Sequence, residues 1–346
     1  MQLSARALNR TLLLRQHLLV RSTASAHDLV SQLVGLQAQD VLPPYLSLAA
    51  RIEDFDPRDL SDRLESRECV RLLTLRGTIH VLTEEDALAL RPWVQPMLDR
   101  SAARAADGTA AIPVDALAAG VSHLLRDGPV AVPTLGRGLA DRHPGVPAAA
   151  LSNAARARLP LVQVPPRGLW AQSGGVVYER VETWLGQPLS MPDTPELVRR
   201  YLRAFGPATA ADLTAWSGVT GLGPVIKAMP DLVEHTGPDG SRLLDVPDAP
   251  VADEDTPAPV RLLGKYDNLW LAHSARDRVT PPESRKRWMG PNGGRGNTIF
   301  VNGVLAGLWQ LQDGRIQTEL FTTVSTQERR QLRDEVRRTE ELLEHR

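Results

Sequence analysis

Gln37 and Gln39 lie two positions apart in the stretch Gly35-Leu-Gln-Ala-Gln-Asp40. A carboxamide is neither acid nor base near neutral pH, so the pair offers no proton transfer. Its carbonyl oxygens can accept hydrogen bonds and present the negative ends of fixed dipoles. That suits a reaction whose leaving group needs no proton. A purine alkylated at N7 is such a case. The base is already cationic and its glycosidic bond is weak, so a catalyst need only place a water and stabilise positive charge developing at the sugar C1′. For both amides to act they must share a side. Positions i and i+2 do so in an extended segment and not in a helix. Gly35 before the pair and Pro43-Pro44 after it mark a helix that has ended. The plainer alternative is two polar residues at a helix end, bonded to loose backbone groups.

The elements around the pair can be read in order. Leu8, Leu12 and Leu13 fall at helical spacing. Ser25-Ala-His-Asp28 is capping-box-like, with Asp in the Glu position, and opens a shorter helix carrying Leu29, Val30, Leu33 and Val34. Asp56 and Pro57 read as the cap and first position of a later helix. "VRLLTLRGTIHVLT" is strand-like with a central glycine, as a β-wing would be, and Thr83 to Asp86 caps the next helix. The plan recurs. "LLRDGPVAVPTLGRGLADRH" reads as helix, Gly-Pro turn, helix, leading into an extended ribbon, "LPLVQVPPRGLWAQSGG". "YLRAFGPATAADLTAWSGV" repeats it with a Thr209 to Asp212 cap, and "LVEHTGPDGSRLLDV" reads as a hairpin turning at Pro238-Asp239-Gly240. Gly128-Pro129 and Gly206-Pro207 hold matching places in their units.

After the Pro- and acid-rich linker "VADEDTPAP" the texture turns to strands, in "VRLLGKYDNLWLAH", "NTIFVNGVLAGLWQLQ" and "RIQTELFTTV". A charged helix capped by Ser325 to Glu328 then runs to or near Arg346. The predicted class is α+β. Three helix-turn-helix-and-ribbon units occupy residues 1–110, 111–192 and 193–250, and a small β-domain with a hairpin and terminal helix occupies 251–346.

Composition bounds the chemistry. At 346 residues, 42% apolar and 23% charged, the chain has the make-up of a soluble protein with several cores. No apolar run reaches membrane-spanning length and no signal peptide opens the chain, so a cytoplasmic protein is expected. The single cysteine, Cys69, excludes an internal disulfide and a Cys-cluster metal site, and its apolar setting reads as a buried inert thiol. No metal-ligand cluster, phosphate loop or nucleophile elbow appears, so no cofactor or metal is expected. The only lysines are Lys227, Lys265 and Lys286. None adjoins the glutamine pair, which argues against a Schiff-base lyase. His123, His143 and His235 read as surface or core, and the seven tryptophans mostly as core. The net charge of −1 hides an uneven distribution. Arg6, Arg10, Arg15 and Arg21 precede the first acid, Asp28, and a second basic run holds Arg276, Arg278, Arg285, Lys286, Arg287 and Arg295. These mark either a basic face or a mixed solvated surface.

Six segments, among them "LSARALNRTLLLRQHLL", "LVGLQAQDVLPPYLSLAARI", "LRGTIHVLT" and "VLAGLWQL", resemble the AlkZ/YcaQ-type winged-helix DNA glycosylases, colinearly and over nearly the whole chain. The resemblance implies three tandem winged-helix modules and a C-terminal β-domain, C-shaped around duplex DNA. It implies removal of bulky N7-alkylguanine adducts and unhooking of some interstrand crosslinks. The family's catalytic motif is Gln-x-Gln in one branch and Gln-x-Asp in the other, so Gln37 and Gln39 become the expected catalytic pair of the AlkZ branch. Arg76 to His80 matches another recurrent segment. Thr78 or His80 is expected to help hold Gln37 or the sugar-phosphate; the alternative is a wing strand with Gly77 at a bulge and His80 in the core. Asp40 is a competing water-positioning group, ranked lower because an extended chain points it away from Gln39.

The expected DNA contacts are Arg6, Arg10, Arg76, Arg276, Arg278, Arg287, Asn292 and Arg295. Asn292 and Arg295 sit on a Gly-rich tip in "SRKRWMGPNGGRGNTIF", between strand-like flanks, suited to a minor groove or merely to an exposed loop. The expected partner is duplex DNA carrying alkylated purines, bound by a monomer with no obligate protein partner. The function so implied is a monofunctional DNA glycosylase in repair or in self-resistance to a genotoxic natural product. The rival is a non-catalytic winged-helix DNA-binding protein, a regulator or a damage shield. Such regulators usually act as symmetric dimers, and three dissimilar modules without a coiled coil weigh against one.

Overall fold

In the computed structural model, which describes residues 1–290 and 293–344, helix α1 (Ala5–Arg15) starts at the cap Ser4. One order of elements then recurs three times: helix, short strand, two helices, two strands. The first round is α2 (Ala26–Gln32), β1 (Leu36–Gln37), α3 (Leu42–Arg51), α4 (Pro57–Glu65), β2 (Cys69–Leu73) and β3 (Ile79–Thr83), followed by α5 (Glu84–Trp93) and α6 (Gln95–Ala102). The second is α7 (Val114–Leu124), β4 (Val130–Ala131), α8 (Val132–Ala140), α9 (Ala148–Arg158), β5 (Leu161–Gln163) and β6 (Val177–Arg180), followed by α10 (Val181–Leu185). The third is α11 (Thr194–Phe205), a single bridge from Ala208 to Leu244, α12 (Ala210–Ser217), α13 (Gly223–Lys227), β7 (Val233–Thr236) and β8 (Arg242–Asp245).

The caps read from the sequence set these boundaries. Ser25 accepts from Asp28 N, Asp56 from Arg58 N ahead of Pro57, and Thr209 and Asp212 form a complete capping box.

The first two rounds share one sheet. Its order is β1-β3-β2-β5-β6-β4, and β2 meets β5 antiparallel with Arg71 opposite Gln163. β1 and β4 therefore form the two edges of one surface. The expected ribbon after residue 160 is strand only at Leu161–Gln163 and Val177–Arg180; turns fill residues 165–171. The third round keeps its own hairpin, β7 with β8, as expected.

Beyond the linker come β9 (Arg261–Leu263), α14 (Asn268–Leu271), α15 (Pro282–Trp288), β10 (Met289–Gly290), β11 (Gly293–Gly294), β12 (Asn297–Val301), β13 (Val304–Gln312), β14 (Arg315–Leu320) and α16 (Thr326–Glu344). Two expected strands prove otherwise. Asp267 caps a helical turn where "DNLWL" was expected to extend, and "SRKRW" lies in α15, whose first position is a proline. The sheet order is β14-β13-β12-β9. The expected end of the last helix at Arg346 lies outside the described residues.

Packing ties the sections together. One cluster joins Leu29 of α2, Leu33 just after it, Val81 of β3, Tyr201 of α11 and Trp270 of α14. The second round has a core of its own around Leu117, Leu135 and Leu151. Among the described residues, no helix is long and apolar enough to cross a membrane.

Candidate active site

Gly35 lets the chain leave α2 and become a strand. Its φ is +94°, and a Cβ there would stand 2.4 Å from Leu82 Cδ2 and 3.1 Å from Val81 O. Leu36 and Gln37 then pair with Val81 and His80 of β3, and Ala38 N donates to Ile79 O at 2.7 Å. Leu36 and Gln37 are extended, and the chain then bends at Gln39 and Asp40. Behind it, the buried Arg71 donates from Nη2 to Ala38 O at 2.9 Å. Burial first, then the charge of Arg167, pushes Arg71 down to about 10, so it stays cationic at neutral pH.

The two amides are held differently. Gln37 is buried, 7% exposed, and its Oε1 accepts from Arg76 Nη2 at 3.1 Å. Gln39 is exposed, and its Oε1 accepts from Ile79 N at 3.1 Å. A carbonyl oxygen has two lone pairs, so each keeps one for another partner.

Arg76 sits at the turn between β2 and β3 with φ +55°, a conformation that costs a non-glycine residue. Its Nη1 donates to Trp216 O at the end of α12. Gly218 allows this approach, since a Cβ there would lie 3.2 Å from Arg76 Cα. Arg76 Nη2 also meets His80 Nε2 at 3.2 Å, while His80 Nδ1 lies 3.0 Å from Thr78 O. The carbonyl can only accept, so Nδ1 carries the hydrogen and Nε2 accepts from Arg76. Burial first, then the charge of Arg76, holds His80 down at about 3. Burial first, then the charge of Arg276, brings Arg76 to about 10. A neutral imidazole and a cationic guanidinium thus fix one amide, and neither titrates near neutrality.

The other expected site residues fall into place unevenly. Thr78 supports the site through its backbone oxygen; its hydroxyl donates to Leu75 O. Asp40 is exposed beyond the strand. Arg276 lies half-buried, 5.8 Å from the Trp288 ring centroid, and its charge is felt at Arg76. Arg6 and Arg295 are exposed. Arg287 is exposed but paired with Glu319 at 2.6 Å. Arg278 is turned inward, donating to Pro207 O at 3.0 Å.

Two expected DNA contacts need correction. Arg10 is 2% exposed, and its donors go to Thr256 O, Asn9 Oδ1 and both oxygens of Asn302, so it holds α1 to the C-terminal section. Arg76 gives Nη1 to Trp216 and Nη2 to Gln37 and His80, which makes it a positioning residue for the amide. Asn292 lies outside the described residues.

Sequence reading missed Arg71 and Asn268. Asn268 Nδ2 donates to Gly35 O at 2.8 Å across 233 positions. No local signal marks either, because each partner is a backbone oxygen far away in the chain.

An amide pair at a sheet edge, Gln37 held by the Arg76 guanidinium and Gln39 by the Ile79 N–H, suits an enzyme that works by orientation and electrostatics rather than by proton transfer. The comparisons agree in class. The chain has the fold of the solved Streptomyces sahachiroi DNA glycosylase AlkZ, with a TM-score of 0.81, 22% identity and coverage of 99% of this chain and 98% of that one. The chain belongs to the AlkZ-like DNA glycosylase family, whose model, "DNA glycosylase AlkZ-like", matches residues 30–342. A curated relative from Streptomyces sahachiroi, an "Interstrand DNA cross-link repair glycosylase", is 26% identical over 336 residues, covering 89% of this chain and 88% of its own length. The protein is a DNA glycosylase.

Proposed function

We propose that this glycosylase hydrolyses the N-glycosidic bond of N7-alkylguanine in duplex DNA, with Gln37 and Gln39 as the catalytic residues. The observation that carries the reading is the clamped pair itself. Both Oε1 atoms are oriented by donors from β3 and its turn, and the histidine behind Gln37, His80, is held neutral at pH 7. The substrate fits that limit. The C1′–N9 bond breaks with its electrons going to the cationic purine, which departs neutral. Water adds to C1′, and its proton is released to solvent. The amide oxygens orient that water and stabilise the sugar cation as it forms.

The three rounds of elements are read as winged-helix modules, arranged with the β-domain around the duplex. Arg6, Arg276, Arg287 and Arg295 are the side chains proposed to meet phosphates or the minor groove. The relative's name supports activity on interstrand crosslinks, and such a lesion suits a self-resistance role. The enzyme is read as monomeric and monofunctional, so its product is an intact abasic strand that breaks only on added alkali.

The test is base release from a duplex bearing one N7-alkylguanine. Wild type should release the base. Gln37→Ala and Gln39→Ala should bind the duplex as wild type does and release it at least about a hundredfold more slowly. Wild-type release by either variant would remove that residue from the site. Tight binding without any release, from simple and bulky adducts alike, would favour a damage-shielding protein.

A further inference from the structure

The loop from Gly264 to Asn268 runs alongside the segment that carries the glutamine pair. At one end, Gly264 packs on α3, where a Cβ would meet Leu46 Cβ at 3.1 Å and Pro43 Cα at 3.5 Å. At the other, Asn268 holds Gly35 O. Asp267 locks the loop from beneath. It is 3% exposed and takes a bidentate pair from Arg51 at 2.7 Å on each oxygen, with Ser47 Oγ donating to it at 3.0 Å. Residues 264–268 thus touch the segment that carries the glutamine pair at both its ends, Gly35 and Pro43, and Tyr266 is the middle of that loop.

Tyr266 is an odd residue for that position. Its φ is +60°, in the left-handed region where an aromatic residue is strained and glycine is not. Strain of this kind can be offset by packing. Val34, at φ +53°, is fully buried in the main core. Tyr266 is only half-buried and joins none of the hydrophobic clusters of the described residues. Its ring contact is Lys265, whose Nζ stands 5.9 Å from the centroid, and no hydrogen bond holds its hydroxyl among the described residues. The folded protein therefore gains little from this ring and carries the backbone cost of presenting it. Such strain is concentrated at binding sites, where the surrounding structure holds it.

We infer that Tyr266 is a specificity-determining residue for the reaction. Its ring stacks on the face of the alkylated base or fills the gap that base leaves in the duplex, while Lys265 meets the adjoining phosphate. This rests on the reading of Gln37 and Gln39 as the site. An electron-rich phenol is suited to a base bearing a full positive charge, because stacking then includes a cation–π component. A neutral base gains less, so the residue favours the lesion over normal guanine.

The strain supplies the test. Tyr266→Gly removes the ring and relieves the backbone, so it should melt at or above the wild-type temperature. Its single-turnover release of N7-methylguanine should fall roughly tenfold or more, the loss of one stacked base. Tyr266→Phe should stay within about threefold of wild type. Binding is measured separately, on a duplex carrying one 2′-fluoro-stabilised N7-methylguanine against the same duplex undamaged. Tyr266→Gly should lose at least about fivefold of the wild-type preference. Wild-type release and preference in Tyr266→Gly would overturn the inference. A lowered melting temperature with parallel loss of binding to both duplexes would also overturn it, by making the ring a structural part. If wild type binds the lesion but releases nothing, the catalytic reading fails, and the binding preference still decides the role of Tyr266.

Discussion

The two edges of the six-stranded sheet are built alike and furnished differently. β1 pairs with β3 as β4 pairs with β6, and the next amide in each case donates to the partner strand: Ala38 N to Ile79 O, Val132 N to Val176 O. Aligned on those bonds, Gln37 corresponds to Ala131, Gln39 to Pro133 and His80 to Val177. Arg71 and Gln163 correspond as well, and they face each other where β2 meets β5. One edge carries two amides, a neutral buried histidine, the buried Arg71 and the half-buried Arg76. The other carries an exposed alanine and a proline. The shared topology supplies an edge strand twice, and the chemistry follows from what approaches it. At β1 these are the end of α12, which anchors Arg76, and α14, which anchors Gly35. The edge at β4 leads straight into α8, where Pro133 lies in the first turn.

Gln37→Ala makes the first edge resemble the second at its central position. It should therefore give the largest effect, a loss of about two to three orders of magnitude in base release with duplex affinity kept. A single-turnover assay beside a filter-binding assay separates the two quantities. A fall of less than tenfold would show that the strand and Gln39 suffice, and that the difference between the edges is not where the catalysis lies.

Arg76→Met tests whether the amide must be held as well as present. The change leaves Gln37 Oε1, His80 Nε2 and Trp216 O without their donor, each a cost. It also removes a largely desolvated cation, which is a gain. These oppose, so stability should shift by no more than about 2 kcal/mol. Base release should fall by tenfold or more, because the amide becomes free to rotate. Unchanged release with Gln37 still essential would mean that the substrate itself orients the amide.

Much of the site's local frame was legible and its long-range support was not. Gly35, the strand-like "VRLLTLRGTIHVLT" and the Asp56-Pro57 cap are short-range signals, and each appears where the sequence put it. The four arginines before Asp28 left a basic face and a mixed solvated surface both open, because their partners lie too far along the chain to be seen. Arg10 is tied to Asn302, Arg15 is buried against Asp245 at 2.7 Å and Arg21 against Glu335 at 2.7 Å. Arg6 is exposed, though its Nε also donates to Glu254 O at 2.7 Å. Lys265 was set aside for the same reason, since its loop reaches the motif only in three dimensions. The pairing of β2 with β5, which fuses two repeats into one sheet, also lacks a local signature.

The first edge should also differ from the second in its response to pH, on stability rather than on rate. Release should be flat from about pH 5.5 to 9, because His80 titrates at about 3 and Arg76 at about 10. Stability behaves otherwise. His80 and His273 are both held at about 3, mainly by burial and next by Arg76 and Arg278, against an ordinary 6.5. The unfolded chain therefore binds more protons below pH 6.5. Their contribution is fully present above that value and is lost progressively as pH falls towards 3. Melting temperatures from pH 7.5 to 4.5 should decline. A bell-shaped rate profile centred near 7 would instead place a titrating group in the reaction.

The smallest effect is expected from the reverse graft. Ala131→Gln with Pro133→Gln, placed in the Gln37→Ala background, rebuilds the Gln-x-Gln spacing on the second edge. Both positions are exposed, so stability should move by less than about 0.5 kcal/mol. Release should not rise above that of Gln37→Ala. The residue four before Val177, matching Arg76 before His80, is Ser173, which has no guanidinium to orient an amide. Val177 cannot relay a hydrogen bond as His80 does, and the end of α12 lies against the Arg76 turn of the first unit. Any recovery of release would mean that two glutamines on an extended edge are enough, and that the guanidiniums behind β1 serve folding alone.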